Sequence, residues 1–250
     1  MHRRMQSILV GCWCLTTFLL LASGADADEA KTIGQHTRWV TSLAYSGDGS
    51  LLATAGGENL LYRPGEIVLW NAQTGALIAK LEGHSSTVWS LDLSPDAKTL
   101  ISSGYDGKII IYNVGDRKAR ATLDKHKGWC RSVAFDNDGS HFASAGPTGE
   151  VVVWETATAK EVKTIKAHDS AVYQVAFSTD GKTLATASVD KTTKLWNWQD
   201  GKEIAKLSGH TDAVWSVAFS PDGKLIATTS ADRTIKIWDM TGKLQGTMKR

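Results

Sequence analysis

Residues 210–239 read HTDAVWSVAFSPDGKLIATTSADRTIKIWD, and this stretch decides the fold of the chain. An apolar run over 214–219 stops at the turn-forming sequence SPDG at 220–223, and a second apolar run follows at 225–229. Residues 234–238 then alternate apolar and polar side chains with a period of two. Short runs of this kind, separated by Gly, Pro and Asp, are typical of antiparallel strands joined by tight turns. The stretch therefore predicts three consecutive strands.

The same pattern occurs five times along the chain. Each copy opens with a histidine, at steps of 42 residues after a first step of 48, namely His36, His84, His126, His168 and His210. Each third strand ends in an aromatic residue at a constant step of 42, namely Trp70, Tyr112, Trp154, Trp196 and Trp238. The repeats are 36–83, 84–125, 126–167, 168–209 and 210–250. The period is therefore regular enough to predict a repeat architecture.

A further strand-like segment precedes each histidine, as 203–207 does before His210, so that every unit has four strands. A period of about 40–45 residues with four strands per unit is typical of propeller blades. Gly209-His210, the SPDG turn at 220–223, Asp232 and Trp238-Asp239 stand at the relative positions of a known family. The chain resembles the WD-repeat β-propeller family over nearly all of residues 28–250.

The resemblance implies an all-β propeller of five four-stranded blades. Rings of the family usually have seven blades, so five repeats fall short of one. Three arrangements are possible: a strained five-blade ring, an open arc completed by self-association with a second chain, or a part of a longer propeller with its missing blades elsewhere. An open arc exposes large apolar faces at both ends, which soluble monomers rarely leave bare. We expect the open, incomplete ring.

Residues 1–27 are predicted to be a signal peptide. Arg3 and Arg4 precede an apolar stretch over 8–22, and small residues at 25–27 suit cleavage. A retained membrane anchor would need about 20 apolar residues. Two alternatives are a lipoprotein acylation box at 9–12 and a twin-arginine signal, both of which fit less well. We therefore expect an exported protein, periplasmic or extracellular, with no membrane span after removal of the signal and with a mature domain at 28–250.

Cysteine usage and charge bear on disulfide formation and on nucleic-acid binding. Removal of residues 1–27 would take Cys12 and Cys14 away and leave Cys130 alone, so no intrachain disulfide is expected. Cys130 stands where other copies have valine, which predicts a small buried hydrophobic residue. The chain has 28 Lys and Arg against 26 Asp and Glu, and the lysines are scattered. This balance does not predict a nucleic-acid partner.

The resemblance also implies a buried hydrogen-bond network that repeats in the blades, from indole to hydroxyl to imidazole to carboxylate. Its expected members are His84, Ser102, Asp106, His126, Ser144, Trp154, His168, Thr186, Asp190, Trp196, His210, Thr228, Asp232 and Trp238. Tyr112 and Thr148 depart from the pattern, and Glu58 aligns only loosely with the carboxylate position of the first copy. Recurrence at equivalent positions favours a structural role, because a catalytic site needs one asymmetric constellation. We predict no catalytic residue, no metal site and no cofactor.

The third and fifth positions after each histidine should point away from the core, since the fourth points into it. Every copy has an aromatic residue there, and the resemblance places these positions on the narrower top face. The first copy also carries six extra residues within 58–66, a loop that either folds back on the sheet or contacts a partner. The expected partner-binding residues are Trp39, Tyr62, Trp89, Tyr105, Trp129, Arg131, Tyr173 and Trp215. Alternatively, the rings line a central channel or pack between blades.

Trp, Tyr and Arg are enriched in binding hot spots. The sequence therefore predicts a non-catalytic WD-repeat scaffold that binds a protein or peptide through the top face of the propeller. The alternative is an exported accessory module of a larger enzyme or electron-transfer complex.

Overall fold

The computed structural model describes residues 36, 38–58 and 63–249. These residues form twenty β-strands in five four-stranded sheets, and this part of the chain contains no helix. The first sheet comprises β1 (Trp39–Tyr45), β2 (Leu51–Gly57), β3 (Glu66–Asn71) and β4 (Leu77–Leu81). The second comprises β5 (Val88–Leu93), β6 (Thr99–Gly104), β7 (Lys108–Asn113) and β8 (Lys118–Asp124). The third comprises β9 (Ser132–Phe135), β10 (His141–Ala145), β11 (Glu150–Glu155) and β12 (Glu161–Lys166).

The fourth sheet comprises β13 (Val172–Phe177), β14 (Thr183–Ser188), β15 (Thr192–Asn197) and β16 (Lys202–Ser208). The fifth comprises β17 (Val214–Phe219), β18 (Leu225–Ser230), β19 (Thr234–Asp239) and β20 (Leu244–Lys249). Within every sheet the strands pair antiparallel and in chain order. Each strand that precedes a histidine thus belongs to the sheet of the copy before it. The all-β architecture with five four-stranded blades is confirmed.

The sheets pack face to face in chain order, with their first strands innermost. β1, β5, β9, β13 and β17 lie side by side. Aliphatic side chains on these strands, such as Leu91, Val175 and Val217, are buried between neighbouring sheets. Each sheet thereby covers an apolar face of the next one, which is the main source of stability in a repeat array.

A polar side chain on each of the first four innermost strands also bonds to the next sheet. It accepts a hydrogen bond from a backbone N–H of the neighbouring innermost strand, a link that the sequence pattern did not predict. The pairs are Leu91 N to Ser42 Oγ (3.2 Å), Val133 N to Ser90 Oγ (3.2 Å), Val175 N to Ser132 Oγ (3.2 Å) and Val217 N to Gln174 Oε1 (2.8 Å). Each of these bonds joins the innermost strands of two neighbouring sheets.

The array has two open ends. Ile235 on the fifth sheet is 40% exposed, whereas the equivalent Ile109 is fully buried between sheets. Val40 on the first sheet is 45% exposed, whereas the equivalent Val88 is fully buried. Within the described residues the first and fifth sheets do not pack on each other, so the ring is open, as expected. The segment 31–34, whose pairing with the fifth sheet would close the ring, lies outside the described residues.

Candidate binding site on the upper face

The upper face is the end of the array at which each innermost strand begins and each second strand turns into the third. In the fifth copy, Asp232 Oδ2 lies 2.8 Å from His210 Nδ1 at this end. The Thr228 hydroxyl lies 2.8 Å from His210 Nε2 and accepts the indole N–H of Trp238 at 2.9 Å. Every polar group in this chain of four residues thus has a partner, which is what burial requires.

The fourth copy has the same geometry. His168 lies 2.7 Å from both Asp190 Oδ2 and Thr186 Oγ1, and the Trp196 indole donates to that hydroxyl at 3.1 Å. Burial lowers the pKa of His168, and the carboxylate of Asp190 offsets part of that effect. The imidazole therefore stays neutral at physiological pH and can accept a hydrogen bond from the threonine.

The second copy replaces the indole with a phenol. His84 contacts Asp106 at 3.0 Å and Ser102 at 2.8 Å, as the repeat predicts. The Tyr112 hydroxyl instead donates to the backbone oxygen of Glu82 at 3.1 Å. Burial raises the pKa of Tyr112 to about 12, so the phenol remains a donor at all physiological pH values.

The third copy lacks the carboxylate. His126 Nε2 lies 2.8 Å from Ser144 Oγ, which accepts the Trp154 indole N–H at 2.8 Å. Thr148 occupies the aspartate position but is exposed and makes no hydrogen bond to His126. Burial lowers the pKa of His126 to about 4, because no anion supports its charged form.

In the first copy, the expected alignment of Glu58 with the carboxylate position is wrong. The carboxylate that meets His36 Nδ1, at 3.0 Å, belongs to Glu66. His36 Nε2 lies 2.6 Å from Thr54 Oγ1, and the Trp70 indole donates to that hydroxyl at 2.7 Å. Glu66 is the first residue of β3, and its longer side chain reaches the histidine from there. The six-residue insertion displaced the alignment, so sequence spacing alone did not identify this partner.

The carboxylates of the network are anions at neutral pH. Burial raises the pKa of Asp106, but hydrogen bonds from His84 and nearby backbone amides lower it by more. The pKa of Asp190 and that of Asp232 are lowered by the same balance, in which Thr192 and Thr234 also donate. Each ionised aspartate therefore accepts hydrogen bonds from a histidine and from the following turn, which holds that turn in place.

Hydroxyl, imidazole and carboxylate in this order also occur in hydrolase triads, but the hydroxyls here are not accessible to a substrate. Ser102, Ser144, Thr186 and Thr228 are fully buried. Three of them already accept an indole N–H. An attacking oxygen needs open space beside it and donors for a developing oxyanion. The geometry therefore serves the fold.

One non-repeated cluster contains the same residue types. Ser140 Oγ lies 2.9 Å and Asp136 Oδ2 lies 3.1 Å from His141 Nδ1. Both contacts involve the same ring nitrogen, so the imidazole cannot pass a proton from the serine to the carboxylate through its two ends. The His141 ring packs on Trp198, with centroids 4.9 Å apart. This cluster braces a turn between two strands, and only the chance adjacency of Ser140 and His141 signals it in the sequence.

Four aromatic rings and one arginine come together on the upper face across the second to fifth sheets. This aromatic cluster consists of Trp89, Trp129, Arg131, Tyr173 and Trp215. Tyr173 lies at its centre, with its ring centroid 6.1 Å from that of Trp129 and 5.5 Å from that of Trp215. The guanidinium carbon of Arg131 lies 4.2 Å from the Trp89 ring centroid and 5.9 Å from that of Tyr173. The members are partly exposed, and Trp215 is 39% exposed.

A β-bulge explains why three of these side chains, Trp89, Tyr173 and Trp215, leave the core. Strand register shifts between Val88 and Ser90, so that Trp89 has no partner on the second strand. The same shift skips Tyr173 and Trp215 in their sheets. A bulge inserts one unpaired residue and changes the direction of its side chain. In the second, fourth and fifth sheets the bulge therefore presents an aromatic residue at the inner edge of the upper face, and in the first sheet it presents Thr41.

The remaining predicted partner-binding residues lie apart from the cluster. Trp39 is 64% exposed at the start of β1, and Tyr105 is 40% exposed in the turn after β6. Neither ring contacts a cluster ring. Tyr62 lies outside the described residues. The structure thus unites five of the eight predicted residues.

The described residues contain one cysteine, which is buried, and no group of side chains that could hold a metal ion. Cys130 is fully buried, and burial raises the pKa of its thiol to about 12, so it is inert at physiological pH. Residues 36, 38–58 and 63–249 hold no cluster of three metal-ligating side chains. Over the same residues, no helix is long and apolar enough to cross a membrane.

Comparison with known proteins identifies the family. A sequence profile of the second β-propeller of echinoderm microtubule-associated proteins matches residues 88–249, and a profile of the WD domain, G-beta repeat, matches 27–62. The chain belongs to the WD-repeat β-propeller family. Members of this family are typically non-catalytic scaffolds that bind proteins.

Individual relatives match this WD-repeat protein over short stretches. Guanine nucleotide-binding protein subunit beta-5b of Danio rerio is 30% identical over 32% of the chain and 19% of its own length. WD repeat-containing protein 1 of Rattus norvegicus is 32% identical over 30% of the chain and 12% of its own length. Eukaryotic translation initiation factor 3 subunit I of Eremothecium gossypii is 28% identical over 28% of the chain and 19% of its own length. The chain thus spans less than a fifth of these curated relatives.

Proposed function

We propose that this WD-repeat protein is a non-catalytic scaffold that binds a protein or peptide through the aromatic cluster. The observation that supports this proposal most is that bulges in the innermost strands of the second, fourth and fifth sheets turn Trp89, Tyr173 and Trp215 out of the core onto one surface. Large rings that are partly exposed on a rigid sheet lose little side-chain entropy on binding and bury much area. The surface therefore has the composition of an interface hot spot.

The rest of the upper face supports a passive scaffold. The repeated histidine networks hold the turns around the cluster, with every described hydroxyl of the network buried. A pre-organised surface keeps the cost of ordering low when a partner binds. The proposal needs no chemical step, because the buried networks already account for the polar residues beside the cluster.

The test is partner capture by variants of the full chain. Trp89→Ala and Trp215→Ala are expected to weaken capture by about 2 kcal/mol or more each if these rings are hot spots. Ile204→Ala is the matched control, because Ile204 is an exposed apolar residue on an outer strand, β16, away from the cluster. Equal capture by all three variants would contradict the proposal, provided that circular dichroism shows the same melting temperature for each.

Export is a second part of the proposal. Arg3, Arg4, the apolar stretch over 8–22 and the small residues at 25–27 support removal of a signal peptide. The partner would then be met in the periplasm or outside the cell. Mass spectrometry of the native protein is expected to find a mature start near residue 28. An intact Met1 in a cytosolic fraction would overturn this part and leave the binding surface unaffected.

A further inference from the structure

Arg131 is the charged member of the aromatic cluster, and its N–H groups are open to a ligand. The guanidinium carbon lies over the Trp89 ring, 4.2 Å from its centroid. The N–H bonds of a guanidinium lie in its plane, and stacking on a ring leaves them unused. The edge of Arg131 can therefore still form two parallel hydrogen bonds.

No acceptor of the described chain uses that edge. Over residues 36, 38–58 and 63–249, Arg131 forms no hydrogen bond through its side chain and no ion pair; its contacts are the two rings. Arg120, by contrast, donates to the backbone oxygens of Thr156 and Ala157, and Arg38 to that of Pro64. Arg131, which is partly buried, therefore lacks the acceptors that these two arginines have, and it lies within a candidate interface.

Burial at this position acts against the charge. It lowers the pKa of Arg131, and Tyr173 offsets only part of that effect. A cation that is partly removed from water without an anion beside it gains strongly from an incoming anion. Guanidinium groups pair with carboxylates through two parallel N–H···O bonds, which fixes geometry as well as affinity.

We propose that Arg131 binds a carboxylate of a peptide ligand, with apolar residues of the same peptide on the neighbouring rings. This inference rests on the proposed function and names the chemistry of its partner. One cation among uncharged rings matches a singly charged carboxylate better than a phosphate, which carries more charge at neutral pH. Trp129 and Trp215 flank Tyr173 and supply the apolar contacts on either side. The preferred ligand is an acidic segment that also contains hydrophobic residues.

The experiment is selection from a random 12-residue peptide display library by the full chain. Wild-type protein is expected to enrich peptides that contain Asp or Glu beside apolar residues. Arg131→Gln should lose that acidic enrichment, and Arg131→Lys, which keeps the charge without the planar fork, should retain only part of it. Arg233→Gln is the matched control, because Arg233 is exposed on the same upper face and makes no ring contact.

A titration of one enriched peptide then separates the sources of the carboxylate. Tryptophan fluorescence is expected to show at least about tenfold weaker binding when its Glu becomes Gln. If amidation of the C-terminus weakens binding and the Glu→Gln change does not, a terminal carboxylate is the ligand. Enrichment without acidic residues, or unchanged by Arg131→Gln, overturns the inference and leaves the proposed function standing. If wild type enriches nothing beyond a Trp89→Ala, Trp215→Ala double variant, the proposed function fails with it.

Discussion

Ala97 lies in the left-handed backbone region, which residues with a Cβ atom rarely adopt. The turns between first and second strands carry a glycine with positive φ at Gly49, Gly139, Gly181 and Gly223, whereas the second copy has Ala97 at φ 58°. A side chain in the left-handed region costs about 1–2 kcal/mol, and added chain flexibility of glycine in the unfolded state offsets part of it. We expect Ala97→Gly to raise the free energy of unfolding by about 0.5–1 kcal/mol, measured by urea denaturation.

Gly49→Ala is the matched reverse change. A Cβ atom at Gly49 would meet nothing within 4 Å, so the substitution isolates the backbone effect from crowding. It should destabilise the protein by about 1 kcal/mol. A stabilising Gly49→Ala, or a destabilising Ala97→Gly, would contradict this account of the turn.

His126 should make stability depend on pH. Burial lowers its pKa to about 4, below the 6.5 that is usual for a histidine. Between these two values the unfolded chain binds more protons than the folded one, so stability falls as pH falls through this window. The contribution amounts to about 2 kcal/mol between pH 7 and pH 5.

His126→Gln removes that titration and keeps a polar group beside Ser144. The difference in unfolding free energy between pH 7 and pH 5 should therefore shrink by about 2 kcal/mol in the variant. Urea denaturation at the two pH values measures it. Equal pH dependence in both proteins would mean that folding does not change the pKa of His126.

At the scale of the element, the innermost strands account for both packing and binding. Their alternating aliphatic residues were readable from the sequence, because side chains of a strand alternate between faces. The bulge was not readable, since it is a property of how two strands pair rather than of either strand. In the second, fourth and fifth sheets it brings the rings at the fifth position, Trp89, Tyr173 and Trp215, to the inner edge of the upper face. Trp39, at the start of β1 on the first sheet, and Tyr105, in the turn after β6, lie outside the aromatic cluster.

The hydrogen bonds between innermost strands predict that the same serine substitution has different effects in an inner sheet and in the last sheet. Ser90 Oγ accepts the backbone N–H of Val133 at 3.2 Å, and both are buried. Ser90→Ala should cost about 1–3 kcal/mol, because it leaves a buried donor without its acceptor. Ser216 holds the equivalent place in the fifth sheet, where no further sheet follows among the described residues.

Ser216→Ala is therefore expected to change stability by less than about 0.5 kcal/mol. Thermal unfolding followed by circular dichroism measures both variants. A similar loss in both would show that the serine acts within its own sheet rather than between sheets.

At the scale of the whole molecule, repetition made the fold predictable. Five copies of one pattern gave the strand count, their order and the blade boundaries, since each repeat contacts only its neighbours. The identity of Glu66 as a network member was not predictable, because a six-residue insertion shifted its spacing relative to the other copies. The clustering of Arg131 with Trp89 was also unreadable, because it joins two different blades.

Neighbouring sheets meet through one repeated interface. Each open end of the array exposes one of the two surfaces that form this interface. The fifth sheet exposes Ile235 and the first exposes Val40, and the residues equivalent to each are buried wherever two sheets meet. Exposed apolar faces usually mark contacts when their equivalents are buried in interfaces. The two ends are complementary by construction, so a chain of these 250 residues is expected to associate head to tail.

Light scattering after size-exclusion chromatography should therefore give a mass that rises with protein concentration. Ile235→Glu should shift the protein towards the monomer, because it places a charge in the apolar contact without disturbing a buried side chain. Ile204→Glu is the matched control, since Ile204 is 52% exposed on the outer strand β16 of the fourth sheet. A monomeric wild type at all concentrations would contradict this expectation. Association unaffected by Ile235→Glu would place the contact on another surface.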